Sequence, residues 1–452
     1  MVERARCLVT GATGYIGARL VPRLLDEGHR VRGLARDPSK LAEVPWREHA
    51  DVVRGDVADV DSLITAFDGI DVIYYLVHSM GTSKDFAASE ARAVRDVVTA
   101  ARRTGVRRVV YLSGLHPETG KLSDHLESRK AVGAALIDSG VEAVVLQAGV
   151  VIGTGSASFE LIRHLTDRLP VMTTPKWVRN RIQPIAVRDV LHYLVAAATA
   201  PVPSSRTWDI GGPDVLEYAD MMRVYAQVAG LSRRYLIVLP FLTPTIASLW
   251  VGTVTPIPPG LARPLIESLE CDAVMRDFDI DSIIDPPPGG LIGYRRAVEL
   301  ALDRVTRGLP DATWDSLRSD PAAPLPSDPD WAGATVYTDA RNVQTSTEPG
   351  ELWKAAEAAT SGGRLGRGRL PGRWSVAERE PGSRLRLHGH LRALGRAWLE
   401  ITITPHDGGS EYTQRAIFFP SGVVGRLCWF AVWPLRRAAL SALARDVVTP
   451  RR

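Results

Sequence analysis

Hydrophobic positions in the first third of the chain follow two patterns that alternate. Short continuous apolar runs, such as Cys7–Val9 and Asp71–Val77, are typical of strands buried on both faces of a parallel sheet. After the first run, Ile16, Leu20 and Leu24 recur at the spacing of an amphipathic helix. The predicted strands are 7–9, 29–36, 51–54, 71–77, 108–113 and 142–147, and predicted helices include 86–103 and 124–139. This alternation predicts an α/β fold with a doubly wound parallel sheet.

The pattern changes twice farther along the chain. From Gly153 onward the strict alternation of strands and helices is lost, as expected where an extended substrate cap is built onto the sheet. Residues 319–332 are rich in proline, which is the composition of a linker. We therefore expect one domain over 1–318 and a second over 333–452.

The second domain has the pattern of an α+β fold with an antiparallel sheet. Apolar and polar residues alternate at 384–391, 399–403 and 412–419, which predicts half-buried strands, with Arg386 among the residues of the solvent face. Helices are expected at 351–358 and 423–447, and Pro434 interrupts the second of these.

The segment Val9–Gly17 carries the first candidate chemistry. Its glycines, Gly11, Gly14 and Gly17, lie between a predicted strand and a predicted helix, the context of a phosphate-binding turn. Such a turn brings a pyrophosphate against backbone N–H groups at a helix N-terminus. The residues expected to bind a dinucleotide here are Gly11, Thr13, Gly14, Tyr15, Ile16 and Gly17. The alternative is a glycine-rich turn in an α/β protein of another kind.

Residues at the ends of the next strands indicate which dinucleotide is bound. Arg36 stands where a carboxylate would select NAD(H), and an arginine there pairs with a 2′-phosphate, which favours NADP(H) over NAD(H). The alternative is a solvated surface arginine beside Asp37. Asp56 follows the third strand and can accept a hydrogen bond from an adenine amino group, while Val57 covers the ring. Asp56 can also serve as an N-cap for a helix that starts near Asp59.

These motifs together resemble those of atypical short-chain dehydrogenases/reductases, of the NmrA-like and complex-I-39-kDa-like branch. The resemblance covers roughly residues 2–302 and rests on the segments Thr10–Gly17, Gly55–Val57, Tyr75–Met80, Tyr111–Gly114 and His125–Arg129. It implies a Rossmann-type fold. It also implies that Leu76, Val77 and His78, at the end of the fourth strand, lie against the cofactor together with Ser113 and Arg129.

The catalytic residues of that family are a Ser after the fifth strand and a Tyr-x-x-x-Lys on the next helix. Ser113 matches the Ser, whereas His125 and Arg129 take the positions of the Tyr and the Lys. The resemblance then implies that His125 exchanges a proton with the substrate and that Arg129 holds the nicotinamide ribose. We therefore predict an NADP-dependent oxidoreductase that acts on a hydrophobic small molecule, such as a quinone, isoprenoid or lipid-like compound. The alternative is an NADP(H)-binding sensor or structural protein without catalysis.

Composition narrows the classes of partner and compartment. The chain has 452 residues and a net charge of +4, without a block of basic residues, so nucleic acid is not an expected partner. The cysteines Cys7, Cys271 and Cys428 are far apart, which predicts neither a metal site nor disulfides and fits a reducing cytoplasm. No apolar run is long enough to span a membrane, and 1–6 leads straight into the first strand, so no signal peptide is expected.

The element order of the second domain resembles the START-like helix-grip fold of ligand-binding proteins. Its last predicted helix carries Trp429, Phe430 and Trp433 beside arginines. We expect this aromatic stripe to pack on protein, and the alternative is a peripheral contact with a membrane surface.

Overall fold

The fold is that of a computed structural model, which describes most of the chain. The described residues are 4–42, 44–77, 86–239, 251, 254–307, 328–329, 332–333, 336–360, 373–391, 394–406, 408–420 and 422–449. They belong to two compact units. The first unit is drawn from 1–166, 170–304 and 309–333, and the second from 167–169, 305–308 and 334–452. The predicted domain limits stay a prediction, and most of the proline-rich segment lies outside the described residues.

Up to residue 307, helices follow strands regularly as far as the strand Glu142–Ala148, and after it several short strands succeed one another without a helix between them. The strands are β1 (Arg6–Thr10), β2 (Arg30–Ala35), β3 (Asp51–Arg54), β4 (Val72–Tyr75), β5 (Arg108–Gly114), β6 (Glu142–Ala148), β7 (Val151–Ile152), β8 (Val171–Thr174), β9 (Arg181–Ile182), β10 (Ile185–Ala186), β11 (Arg206–Ile210), β12 (Leu216–Glu217) and β13 (Tyr235–Val238). The helices are α1 (Tyr15–Asp26), α2 (Val60–Phe67), α3 (Phe86–Thr104), α4 (Asp124–Ile137), α5 (Ala157–Arg168), α6 (Val187–Ala196), α7 (Tyr218–Val228), α8 (Pro259–Ser268) and α9 (Tyr294–Arg307).

The predicted Rossmann-type sheet is confirmed. It has seven strands in the order β3-β2-β1-β4-β5-β6-β11, and every neighbouring pair is parallel. The strand order reverses between β1 and β4, which creates the crevice where ligands bind in such sheets. The remaining short strands pair in twos, as β7 with β10, β8 with β13 and β9 with β12.

Helices cover both faces of this sheet, which explains why its central strand β4 is apolar throughout. In β4, Val72 and Tyr74 join a core with α1 and α6, whereas Ile73 and Tyr75 join the opposite core with α2, α3 and α4. All of these four side chains are buried. A strand with both faces buried needs apolar residues at successive positions.

The second unit contains the separate antiparallel sheet that the alternating pattern predicts. Its elements are β14 (Tyr337–Thr345), α10 (Pro349–Thr360), β15 (Arg373–Glu380), β16 (Arg384–His390), β17 (Gly395–His406), β18 (Gly409–Pro420), α11 (Gly422–Ala431) and α12 (Trp433–Val448). The sheet order is β14-β18-β17-β16-β15, with every pair antiparallel. Helices α10 and α12 contribute to the core on one face of the sheet. The likeness to the helix-grip fold stays a prediction.

Two local features of the second unit bear on the sequence predictions. The C-terminal helix is interrupted at Val432, just before Pro434 in the first turn of α12, as expected. The expectation of a solvated face for β16 is wrong at Arg386, whose residue is only 4% exposed. Its guanidinium lies 3.6 Å from carboxylate oxygens of Glu378 and of Glu400, on the neighbouring strands β15 and β17. Within the described residues, no helix has the length and hydropathy needed to cross a membrane.

The packing of α1 on β1 gives a first test. A Cβ atom at Gly17 would lie 2.3 Å from the carbonyl oxygen of Gly11, whereas one at Gly133 in α4 would lie 3.4 Å from the nearest Val145 carbon. We expect Gly17→Ala to lower the free energy of unfolding by about 1–3 kcal/mol, because backbone must move. Gly133→Ala should leave it unchanged or raise it by up to about 1 kcal/mol, because alanine favours helix. Urea unfolding followed by circular dichroism compares the two, and equal effects would contradict the close packing.

Candidate functional site

The candidate site lies along the carboxyl ends of five neighbouring strands. Asp56 follows β3, Arg36 follows β2, Gly11 follows β1, Leu76 follows β4, and Ser113 lies near the end of β5. These strands are consecutive in the sheet order, and their parallel pairing brings all of these ends to one edge. With adjacent strands about 4.8 Å apart, the row extends over roughly 20 Å.

The glycine turn is held by backbone contacts that exclude side chains. Gly11 has a φ of +67°, in the left-handed region, and its position for a Cβ lies 3.1 Å from the carbonyl oxygen of Leu76. The Gly14 N–H donates to the Gly11 carbonyl at 2.8 Å. Helix α1 follows with Gly14 as its N-cap and without a side-chain cap on the first turn. The first amides of α1 are thus left for another acceptor.

Thr13, Tyr15 and Ile16 sit around this turn as predicted from their positions, but the Tyr15 phenol faces inward. The Tyr15 hydroxyl is buried, and a Cβ at Gly153 would lie 2.3 Å from it. The guanidinium of Arg19, one turn along α1, lies 4.1 Å from the centre of the Tyr15 ring. Burial raises the pKa of the Tyr15 phenol. The Tyr15 ring therefore supports α1 from inside the unit.

At the end of β2, Arg36 and Asp37 have different surroundings. Arg36 is exposed, and among the described residues its side chain has no hydrogen bond or ion pair. The Asp37 carboxylate accepts from the Ser39 hydroxyl at 2.7 Å and the Ser39 N–H at 3.1 Å, and these bonds lower its pKa. Asp37 is thus engaged in the turn that follows β2. It does not neutralise Arg36 through a salt bridge.

At the end of β3, the helix-capping role belongs to Asp59. The Asp59 carboxylate accepts from the N–H groups of Asp61 and Ser62 at the start of α2. Asp56 instead accepts from the Ala58 N–H at 3.1 Å, which closes the turn between β3 and α2. Val57, half-buried, packs against the core on the α2 face of the sheet. Asp56 is therefore not the N-cap of α2, which was the alternative role predicted for it.

Thr10 couples the ends of β1 and β4. Its hydroxyl donates to the carbonyl of Tyr74 at 3.0 Å and accepts from the N–H of Leu76 at 3.0 Å. This double contact fixes Leu76 next to the glycine turn. Val77 follows and is half-buried. His78 lies outside the described residues.

Ser113, His125 and Arg129 come together at the end of β5. The Ser123 side chain accepts from the Leu126 N–H and so starts α4 just before His125. Arg129, one turn later, donates its Nε–H to His125 Nε2 at 3.1 Å and an Nη1–H to the Leu112 carbonyl at 3.5 Å. Ser113 is 3% exposed and follows Leu112 directly. The i,i+4 spacing thus puts the side chains of His125 and Arg129 on the face of α4 that lies next to the end of β5.

The environment of His125 determines its charge and tautomer. Burial, and secondly the positive charge of Arg129, lower the pKa of His125 from 6.5 to about 3. Because His125 Nε2 accepts from Arg129, the proton of the neutral ring must be on Nδ1. This Nδ1 is buried and has no hydrogen-bond partner among the described residues. His125 is therefore a neutral imidazole whose buried Nδ1–H has no acceptor among the described residues.

Tyr111 and Glu90 belong to the same region, and sequence reasoning did not assign them a role. Tyr111 lies two residues before Ser113 on β5, and burial raises its pKa to about 12 against the opposing effect of Arg129. The Ser113 hydroxyl is near enough to Tyr111 to lower that pKa, yet it meets no partner at hydrogen-bond geometry within the described chain. Glu90 on α3 is buried and accepts from the Ser128 hydroxyl of α4. A buried phenol, on β5, and a buried carboxyl side chain, on α3, thus belong to this region.

A second polar cluster follows β5, β6 and β11 and was also missed. His116 Nε2 lies 3.3 Å from the Gln147 side-chain nitrogen, and Arg276 donates to Gln147 Oε1 at 3.4 Å. The Arg276 N–H also donates to the buried carboxylate of Asp209 at 2.9 Å. Of these residues, Gln147 could have been expected at a site, because it lies near the end of β6 and the carboxyl ends of parallel strands converge at one edge. His116 and Arg276 lie in loops, where the sequence pattern gives no position.

Two family profiles match separate parts of the chain. Residues 11–157 match the NAD(P)H-binding family, and residues 364–442 match a family described as a protein of unknown function, DUF2867. The first match contains the glycine turn, Arg36, Asp56, Ser113, His125 and Arg129. The second lies within the antiparallel unit and gives no support to the START-like resemblance.

Known proteins resemble parts of this chain. A 3 beta-hydroxysteroid dehydrogenase/Delta 5→4-isomerase of Mycobacterium tuberculosis is 38% identical over 122 residues, which are 25% of this chain and 32% of that protein. A ceramide reductase of Caulobacter vibrioides is 28% identical over 51% of this chain and 73% of its own length. The solved NADPH-dependent quinone oxidoreductase QOR2 of Escherichia coli, complexed with NADPH, has the same fold, with a TM-score of 0.53 and 17% identity over 65% of this chain and 98% of its own. Residues 11–157 thus match an NAD(P)H-binding family within a Rossmann-type fold, and dehydrogenases and reductases are among the proteins that resemble parts of this chain.

Proposed function

We propose that the protein is an oxidoreductase that binds NADP(H) in preference to NAD(H) and acts on a hydrophobic small molecule. The observation that supports this most is the pair of His125 and Arg129 beside Ser113, separated from the glycine turn by only one strand, β4. The relatives include a steroid dehydrogenase and a ceramide reductase, which agrees with a quinone, isoprenoid or lipid-like substrate. The domain limits 1–318 and 333–452 and a cytoplasmic location belong to the same proposal.

The cofactor would lie along the row of strand ends. The turn from Gly11 to Gly17 would receive the pyrophosphate, Arg36 the 2′-phosphate, and Asp56 with Val57 the adenine. Leu76, Val77 and, from the sequence alone, His78 would border the nicotinamide side. Ser113 and Arg129 would hold its ribose. When bound, NADPH supplies the hydride, and the protein supplies position and polarity.

His125 would act on the substrate as a hydrogen-bond donor. With a pKa of about 3, its imidazolium form is scarcely present at neutral pH, so it is poorly suited to the proton exchange implied by the family resemblance. A neutral imidazole with a proton on Nδ1 can still donate to a carbonyl oxygen and stabilise the negative charge that hydride transfer creates there. Arg129 would fix that tautomer, and the Ser113 hydroxyl would orient the same oxygen.

The alternative function is binding of NADP(H) without turnover, as in a sensor or an assembly protein. The observation that favours it is that position 125 holds an imidazole in place of the phenol of the family, and that this imidazole is neutral and engaged by Arg129. Binding without oxidation of NADPH by any acceptor would favour this alternative.

The proposed role of Arg36 predicts that its replacement weakens the binding of one cofactor and not of the other. Arg36→Ala should weaken NADPH binding by about 1.5–3 kcal/mol, because a charge-assisted contact disappears, and should leave NADH binding nearly unchanged. Arg30→Ala, which removes an exposed arginine at the opposite end of β2, is the control and should affect neither cofactor. Titration calorimetry measures the six affinities of the wild type and the two variants for the two cofactors. An equal loss for NADPH and NADH would refute a 2′-phosphate contact.

The roles of His125 and Arg129 predict a loss of turnover. We expect purified protein to oxidise NADPH in the presence of a member of a panel of quinones, enones and carbonyl compounds. His125→Ala and Arg129→Ala should each lower kcat/KM by about 10- to 100-fold, since each removes a hydrogen bond worth roughly 1.5–3 kcal/mol. Lys130→Ala, which removes an exposed neighbouring charge on α4, should retain the activity. Oxidation by the wild type at the rate of the two alanine variants would exclude the catalytic proposal.

The buried neutral state of His125 predicts a dependence of stability on pH. Its pKa is lower in the folded protein than in the unfolded chain, so only the unfolded chain takes up this proton between pH 6.5 and about 3. The contribution of this group to the free energy of unfolding is therefore fully present above pH 6.5 and is lost as the pH is lowered towards about 3. His125→Leu should reduce that slope by up to about 1.4 kcal/mol per pH unit. Denaturant unfolding across this range measures the slope, and an unchanged slope would mean that His125 is already charged when folded.

A further inference from the structure

The second unit contains an apolar cavity of about 330 Å³ between its sheet and the helices α11 and α12. We propose that this cavity binds the hydrocarbon chain of an anionic amphiphile, with the carboxylate or phosphate head group on Arg436. The proposal rests on the geometry of the second unit and is independent of the function proposed for the first.

The walls of the cavity are mainly aromatic and aliphatic. They include Trp374, Leu394, Phe418, Trp429, Val432 and Leu440. Trp429 is stacked against Phe418, with ring centres 5.3 Å apart and planes 4° apart, so this wall is firmly packed. The volume falls within the range of small-ligand sites. It has room for on the order of ten methylene groups, if each fills about the 30 Å³ of a water molecule in the liquid.

Small residues on the sheet create this space. Successive inward positions of β17 are Ala397, Leu399, Ile401 and Ile403. The last three are part of the core with α10 and α12, whereas Ala397 borders the cavity. Ala416, opposite Leu399 on β18, borders it as well. The core is therefore full at one end of the sheet and open at the other, next to the interruption between α11 and α12.

Arg436 gives the cavity its preference for an anion. Its side chain is only 10% exposed. Its Nη1–H donates to the Trp429 carbonyl at 2.7 Å, and its guanidinium lies 3.3 Å from the centre of the Trp429 ring. Its Nε has no hydrogen-bond partner among the described residues, and the Asp339 carboxylate is 3.9 Å away. Burial lowers the pKa of this guanidinium, as expected for a cation in apolar surroundings. A carboxylate or phosphate at this point would offset the cost of a buried, incompletely paired charge.

The surroundings of Arg436 provide an entrance with positive charge. Leu435, at the edge of the cavity, is 72% exposed, so the cavity reaches the surface. Arg436 also borders a polar groove along β14 that contains Arg341 and Arg437. Asp339 is the carboxylate of this groove and is already near Arg436. An apolar chain inside and an anionic group at Arg436 would therefore each meet matching surroundings.

Calorimetry on the full chain with ten-carbon amphiphiles tests the proposal. Decanoate and decyl phosphate should bind at least about 10-fold more tightly than decan-1-ol, and decyltrimethylammonium should bind no better than the alcohol. The two anions distinguish a carboxylate from a phosphate head group. Arg436→Leu should abolish the preference for anions while decan-1-ol still binds. Arg445→Leu, which removes an exposed charge farther along α12, should change nothing.

A second measurement uses the Cys428 thiol, which lies in the cavity wall. In a Cys271→Ser variant, decanoate should slow the alkylation of Cys428 by N-ethylmaleimide, and Ala416→Phe should remove this protection by filling the space. Circular dichroism verifies that each variant is folded. Equal binding of anionic and cationic amphiphiles, or an Arg436→Leu variant that still prefers decanoate, would overturn the assignment of Arg436. Absence of both heat and protection with all four amphiphiles would overturn the cavity as a binding site.

Discussion

The close approach of α1 to the end of β1 is the constraint on which the first unit depends. Gly17 lies so near the Gly11 carbonyl that no side chain fits between them, and Gly11 in turn lies against Leu76. The Thr10 hydroxyl then ties β1 to β4. These contacts set the crevice at the point where the strand order reverses. Since the same backbone turn packs the core and presents the first amides of α1, fold and binding site cannot be altered separately here.

The sequence was sufficient to predict the strands whose buried positions follow a regular pattern. Strands β1, β4, β5 and β6 were predicted because both of their faces are buried, so that their apolar residues are consecutive. The alternating strands of the second unit were found because one face is apolar. Arg386 was misplaced, because its burial depends on Glu378 and Glu400, which adjacent strands bring to it. A local pattern carries no information about such partners.

The candidate site was predictable to a similar extent and for a related reason. Carboxyl ends of parallel strands share one edge, so Arg36, Asp56 and Ser113 were placed together from the order of elements alone. The state of His125 could not be predicted, because its pKa depends on burial and on the contact with Arg129. The cluster of His116 and Gln147 was missed because loops bring His116 to its place.

One buried arginine and two half-buried ones show how partners separate a structural role from a binding role. Arg19 is held by two hydrogen bonds to the Asp328 carboxylate, and carbonyl groups accept from it as well, so its charge is balanced within the first unit. Arg129 uses one donor to hold a neutral imidazole, which leaves its positive charge beside Ser113. Arg436 has a carbonyl partner, the face of the Trp429 ring and a carboxylate 3.9 Å away, at the wall of an apolar cavity. A buried cation costs most where its pairing is least complete. By this criterion the surroundings of Arg129 and Arg436, rather than those of Arg19, are where an anionic or electron-rich ligand gains most from binding.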